Sequence, residues 1–122
     1  MAVVSGKVAF ESLWETDTYL GQDTGKYNIV LTLGEAEASK LTDLGVNVKE
    51  YEGNGQRKFT SKFPIKVIDA DDQPFKGPLP RGSEVRVLFN TGDPHPQYGT
   101  PTYANAVRVL EVAEPDVDYS EL

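Results

Sequence analysis

The sequence predicts a mainly β domain: a five-stranded closed barrel with one short helix, long Pro/Gly loops and an acidic C-terminal tail. Three observations carry that expectation. Most of the chain alternates apolar and polar residues with period two, in short runs bounded by Gly, Pro, Asn or Asp. One stretch, residues 35–44, shifts to a spacing of three. The chain of 122 residues suits one domain around one hydrophobic core.

Val4 to Trp14 reads as the first strand, with a bend or bulge at Gly6. Glu15 to Gly25 is a polar loop. Lys26 to Leu33 alternates cleanly, placing Tyr27, Ile29, Leu31 and Leu33 on one face of a half-buried strand. Ala38, Leu41 and Leu44 then recur every third residue among good helix formers, and Gly45 stops the helix. Lys49 to Gln56, with Gly53-Asn54-Gly55, is a connection or hairpin tip.

Arg57 to Ile68 reads as one strand with Phe59, Phe63, Ile65 and Val67 inward. Its other face carries Lys58, Lys62 and Lys66, about 13 Å apart at roughly 3.3 Å per residue. Pro64 within it removes a ladder donor, which marks an edge or a bulge. Asp69 to Gly82 is a long Pro/Gly connection. Ser83 to Asn90 alternates again, Thr91 to Pro101 is a second Pro/Gly loop, and Tyr103 to Val112 is the last strand. Five strands and one helix match the oligonucleotide/oligosaccharide-binding barrel, or OB-fold, whose open face and loops bind single strands. A β-sandwich usually needs seven or more strands.

Composition excludes several chemistries. The chain has no cysteine, so disulfides and thiol catalysis are out. Its one histidine, His95, lies between Pro94 and Pro96 and cannot form a two-imidazole metal site. No run approaches the roughly 18 apolar residues of a membrane span. The opening residues lack the basic-then-apolar pattern of a secretion signal, so a cytoplasmic protein is expected. Asp69-Ala70-Asp71-Asp72 lacks the glycine and glutamate of a calcium loop and reads as a solvated turn. No serine sits in a nucleophile elbow, and no phosphate-binding glycine loop is present. No enzyme and no cofactor are expected.

Net charge is −7, yet its distribution is segregated. Residues 1–56 carry 4 Lys/Arg against 9 Asp/Glu, residues 57–108 carry 8 against 5, and residues 109–122 carry none against 5. A basic middle between acidic ends suits a surface for polyanions. Single-strand binders pair such a surface with aromatic rings on which bases stack. The candidate DNA-binding cations are Arg57, Lys58, Lys62, Lys66, Arg81 and Arg86. The candidate stacking rings are Trp14, Tyr19, Phe75, Tyr98 and Tyr103, all at strand ends or in loops. Phe59, Phe63 and Phe89 are assigned to the core.

Certain segments also resemble a known family. They are Gly25-Lys26-Tyr27-Asn28-Ile29-Val30-Leu31-Thr32-Leu33, Lys58-Phe59-Thr60-Ser61-Lys62-Phe63 leading into Val67-Ile68-Asp69, Gly82-Ser83-Glu84-Val85-Arg86-Val87, and Ala106-Val107-Arg108-Val109-Leu110-Glu111-Val112. In this order they resemble the single-stranded DNA-binding proteins of T7-like phages, over roughly residues 8–113. The resemblance implies an OB-fold domain over 1–113 and an acidic tail over 114–122. It further implies sequence-independent DNA binding in phage replication, recombination and repair, in the cytoplasm of the infected host. Such proteins often dimerise, and use the tail to contact DNA polymerase and helicase-primase or to cover the DNA groove. The tail residues implied are Glu114, Asp116, Asp118, Tyr119, Glu121 and Leu122; its aliphatic end departs from the aromatic end typical of the family. The competing function is a phage structural or assembly β-domain that mediates protein contacts.

Overall fold

The computed structural model describes the chain apart from residues 1, 15, 17, 52, 78, 97, 98 and 114–122 and the side chains of Tyr19 and Tyr51. The elements run β1 (Ala2–Ser12), β2 (Thr18–Tyr19), β3 (Gln22–Asp23), β4 (Tyr27–Leu33), α1 (Glu35–Asp43) and β5 (Lys49–Tyr51). They continue with β6 (Asn54–Ser61), β7 (Lys66–Ile68), β8 (Glu84–Thr91) and β9 (Thr102–Glu111). The architecture is mainly β with one short helix, as the alternation predicts.

Seven strands share one sheet in the order β5-β6-β4-β1-β8-β9-β7, while β2 and β3 form a separate ribbon. A further pairing joins β6 to β9 in parallel, with Thr60 opposite Tyr103. The five long strands β1, β4, β6, β8 and β9 therefore meet edge to edge in a ring, and β5 and β7 extend the sheet beyond it. The sequence predicts the five long strands but not the short β2, β3 and β5, whose two or three residues carry too little pattern to detect, while β7 falls inside the run that reads as one strand with β6.

Inward positions of the ring build the core, which contains Val4, Val8, Ile29, Leu31, Phe59, Val85, Val87, Phe89 and Val107. Phe59 and Phe89 meet edge to face at 5.1 Å between centroids, a favoured geometry for two rings. Helix α1 adds Leu41, fully buried, and carries Glu35 and Glu37 in its first turn, where the helix dipole favours anions. Val46 and Gly45 donate back to the carbonyls of Leu41 and Thr42 and close the helix where Gly45 was expected to stop it.

Three expectations need correction. The bulge in β1 falls between Val8 and Phe10, where the β1–β4 register shifts by one residue, while the β1–β8 register runs unbroken through Gly6. Arg57 to Ile68 is two strands, because Pro64 cannot donate to a ladder: β6 stops at Ser61 and β7 begins at Lys66 on a different partner, β9. The single row of Lys58, Lys62 and Lys66 is thereby broken. Phe63 falls in this break and is 76% exposed, so it is not a core residue.

The Asp69–Asp72 turn is held by protein partners. The Asp69 Oδ1 accepts from the amides of Asp71 and Gln73, and Arg108 reaches the carbonyls of Asp69 and Ala70 and the carboxylate of Asp72. Among the described residues no cluster could hold a metal ion.

Candidate nucleic-acid interface

Two registered rows cross the outer face of the ring. The first runs Phe10–Val30–Lys58 over β1, β4 and β6. The second runs Ser12–Asn28–Thr60–Tyr103 over β1, β4, β6 and β9, with Asn28 itself buried. With neighbouring strands about 4.8 Å apart, Phe10 stands roughly 10 Å from Lys58 along its row. The β1 bulge makes this possible. In a regular strand Phe10 would share the inward face of Val8; the extra residue, Ala9, turns the ring outward, where it is 52% exposed.

An open groove of about 500 Å³ lies where β6, β9 and the loop between β8 and β9 converge. Lys58, Thr60 and Tyr103 line it together with Arg57, Asp93, His95 and Gly99. Tyr103 is 45% exposed and its ring lies over Gly92: a Cβ there would come within 2.8 Å of Tyr103 Cε2 and of Pro101 Cγ. Only glycine leaves room for the ring in this position. In this loop the amides and carbonyls of His95 and Gly99 pair reciprocally at 2.9 Å.

A second cleft, lined by Phe10, Glu11, Trp14, Thr16 and Thr18, sits at the foot of the β2–β3 ribbon. Trp14 is 38% exposed and packs at 6.4 Å, tilted, against half-buried Phe75. Asp23 braces this loop. Its carboxylate accepts from the Gly25 amide and the Thr16 hydroxyl, both at 2.8 Å, and these bonds, the amide first, hold its pKa below the ordinary aspartate value.

The expected site residues fall into separate groups. Arg57, Lys58 and Tyr103 come together at the groove, with Lys62 exposed just beyond the end of β6. Trp14 and Phe75 meet beside the other cleft. Lys66 opens β7 beside Ala106, Arg86 lies in β8 between Ser5 and Arg108, and Arg81 precedes β8. All three are exposed, and none lines the groove. Tyr19 belongs to β2, with its side chain outside the described set; Tyr98 and the tail residues Glu114, Asp116, Asp118, Tyr119, Glu121 and Leu122 lie outside the described residues. Arg57 differs from the lysines. Burial lowers its pKa, and its guanidinium donates to Thr102 Oγ1, the Asn47 carbonyl and the Thr100 carbonyl. Phe10, Asn47 and Thr102 escape sequence reasoning. A bulge leaves no composition signal, and the polar pair sits at positions remote in sequence from Arg57.

No protein-family model matches the chain, and no curated protein matches its sequence. Solved structures do. The gp2.5 single-stranded DNA binding protein of bacteriophage T7 aligns over 99% of this chain and 97% of its own, at 13% identity and a TM-score of 0.63. The single-stranded DNA-binding protein of bacteriophage Enc34, in complex with single-stranded DNA, aligns over 94% of this chain and 89% of its own, at 15% identity and 0.65. A C-terminally truncated form of the Enc34 protein gives 93%, 87%, 16% and 0.64. The chain thus has the fold of phage single-stranded DNA-binding proteins.

Proposed function

We propose that this chain is a non-enzymatic, sequence-independent single-stranded DNA-binding protein built on an OB-fold barrel, the barrel being the five-strand ring. The observation that carries the reading is the outer face of that ring, where Phe10, Lys58 and Tyr103 stand exposed on adjacent registered rows. An exposed cation between exposed rings is what a stacked single strand needs: phosphates meet the lysine, and base faces meet the rings. The solved relatives whose fold it shares bind single-stranded DNA by their own descriptions. Lys62, Lys66, Arg81 and Arg86 would extend the contact with the backbone, and Trp14, Tyr19, Phe75 and Tyr98 the stacking.

The wider role follows the resemblance: replication, recombination and repair of phage DNA in the host cytoplasm. Residues 114–122, with four acids and no base, would dock on phage DNA polymerase or helicase-primase, or compete with DNA for the groove. The protein would act as a homodimer. A mobility shift with poly(dT) against a duplex of equal length tests the central claim. Strong single-strand preference at low salt is expected, since stacking needs unpaired bases. Equal affinity for the duplex reduces the site to a generic basic patch, and no shift at all favours a phage structural or assembly domain.

A further inference from the structure

We infer that Arg57 is a positioning residue, a clamp that fixes the wall of the groove rather than a contact to phosphate. This rests on the single-strand reading of the groove. Three segments converge on the guanidinium: Nε donates to Thr102 Oγ1 at 3.0 Å, Nη2 to the Thr100 carbonyl at 2.9 Å, and Nη1 to the Asn47 carbonyl at 3.1 Å. These belong to the start of β9, the loop before it, and the connection from α1 to β5. A rigid fork of donors suits three acceptors at fixed angles, which a lysine ammonium cannot match.

Thr102 extends the clamp. Buried at 3% exposure, its hydroxyl accepts from Arg57 and donates to the Lys58 carbonyl at 2.8 Å. The hydroxyl's single proton is therefore committed to the backbone of the residue whose side chain lines the groove. Asn47 closes the other side: its amide lies so near Gly99 that a Cβ there would be 2.6 Å from Nδ2. Tyr103 follows Thr102 directly, so the clamp sets where that ring starts. Without it, the 99–102 segment would have to be ordered at the moment DNA binds.

Two variants separate clamp from contact. Arg57→Lys keeps the positive charge and loses the fork; Thr102→Val keeps shape and charge and loses the relay. Each should weaken poly(dT) binding roughly two- to tenfold, the scale of ordering one or two side chains on association. Each should leave the salt slope unchanged and speed amide exchange at Gly92 and Gly99 in the DNA-free protein. Thr102→Ser, which restores the hydroxyl, should bind as wild type. Lys58→Ala serves as the slope control, since it removes a charge from the groove. Melting curves fix a temperature at which every variant is fully folded. If Arg57→Lys and Thr102→Val both bind as tightly as wild type, the clamp is wrong, and Arg57 touches phosphate or nothing. If wild type itself ignores poly(dT) while the two variants still speed exchange, the clamp is real and the DNA reading is what fails.

Discussion

Tyr103 and Lys58 face the same groove through different physics, and single substitutions separate them. Tyr103→Ala should cost about 1–3 kcal/mol of single-strand affinity, the usual value of one base stack, with an unchanged salt slope. Lys58→Ala should instead lower the magnitude of the slope by about 0.7, because one fewer counterion is released. Both side chains are exposed, so filter binding and melting curves together should show affinity moving and stability holding. Gly92→Ala is the sharper variant. It removes no functional group, yet its methyl would collide with the Tyr103 ring and Pro101, so affinity should fall toward that of Tyr103→Ala. Phe10 and Phe63 show why residues like these resist reading from sequence. Phe63 was assigned to the core by alternation and Phe10 carried no assignment, yet both are exposed, Phe10 turned out by a bulge and Phe63 left between the end of β6 and Pro64. Alternation reports face only while the strand is regular.

Helix α1 is short, and Leu41 is its one fully buried side chain among the described residues. Ala38 packs against the same core and the Glu37 carboxylate accepts from the Ser5 amide of β1, so Leu41 is the chief but not the sole anchor of the helix. Leu41→Ala should therefore destabilise the domain by about 2–5 kcal/mol, measured by urea denaturation, while leaving the groove chemistry intact. The period of three predicted this helix and its stop, although Leu44, the third member of the stripe, is half exposed as the cap. The loop before β4 answers to pH. Asp23 titrates below its ordinary value in the folded chain, so its bonds to Gly25 and Thr16 add stability above the unfolded aspartate pKa of about 3.9 and lose it as pH falls through the lower folded value. Amide exchange at Gly25 should quicken below about pH 4. In Asp23→Asn that acid transition should be absent.

Across the whole molecule, the positive charge of residues 57–108 is spread over several surfaces. Lys58 and Lys62 belong near the groove, whereas Lys66 and Arg86 occupy β7 and β8, so a short oligonucleotide cannot engage all of them from the groove alone. With three to five phosphates neutralised, log affinity should fall with log salt at a slope of roughly −2 to −3.5. Deleting residues 114–122 should tighten binding most at low salt, where repulsion by its acids is least screened. Affinity unchanged at low salt would remove the tail from the electrostatics. The five long strands, the helix and most of the core were legible because each repeats its pattern for several residues. The closing contact was not. It joins Thr60 to Tyr103, distant in sequence and marked by no motif.

That closing contact is also the shortest backbone junction of the ring. Within the ring, β6 and β9 meet in parallel through Thr60 and Tyr103, while the other four junctions are antiparallel ladders of several residues. Side chains brace that seam: Arg57 donates across it to Thr102 Oγ1 and the Thr100 carbonyl, and Thr102 donates back to the Lys58 carbonyl. The seam runs beside the same groove that Lys58 and Tyr103 line, so a strand of DNA bound there would lie across it like a suture. Occupancy and closure would then be one equilibrium seen from two sides. Each tenfold rise in free DNA above the dissociation constant would hold the ring of strands shut by a further 1.4 kcal/mol or so.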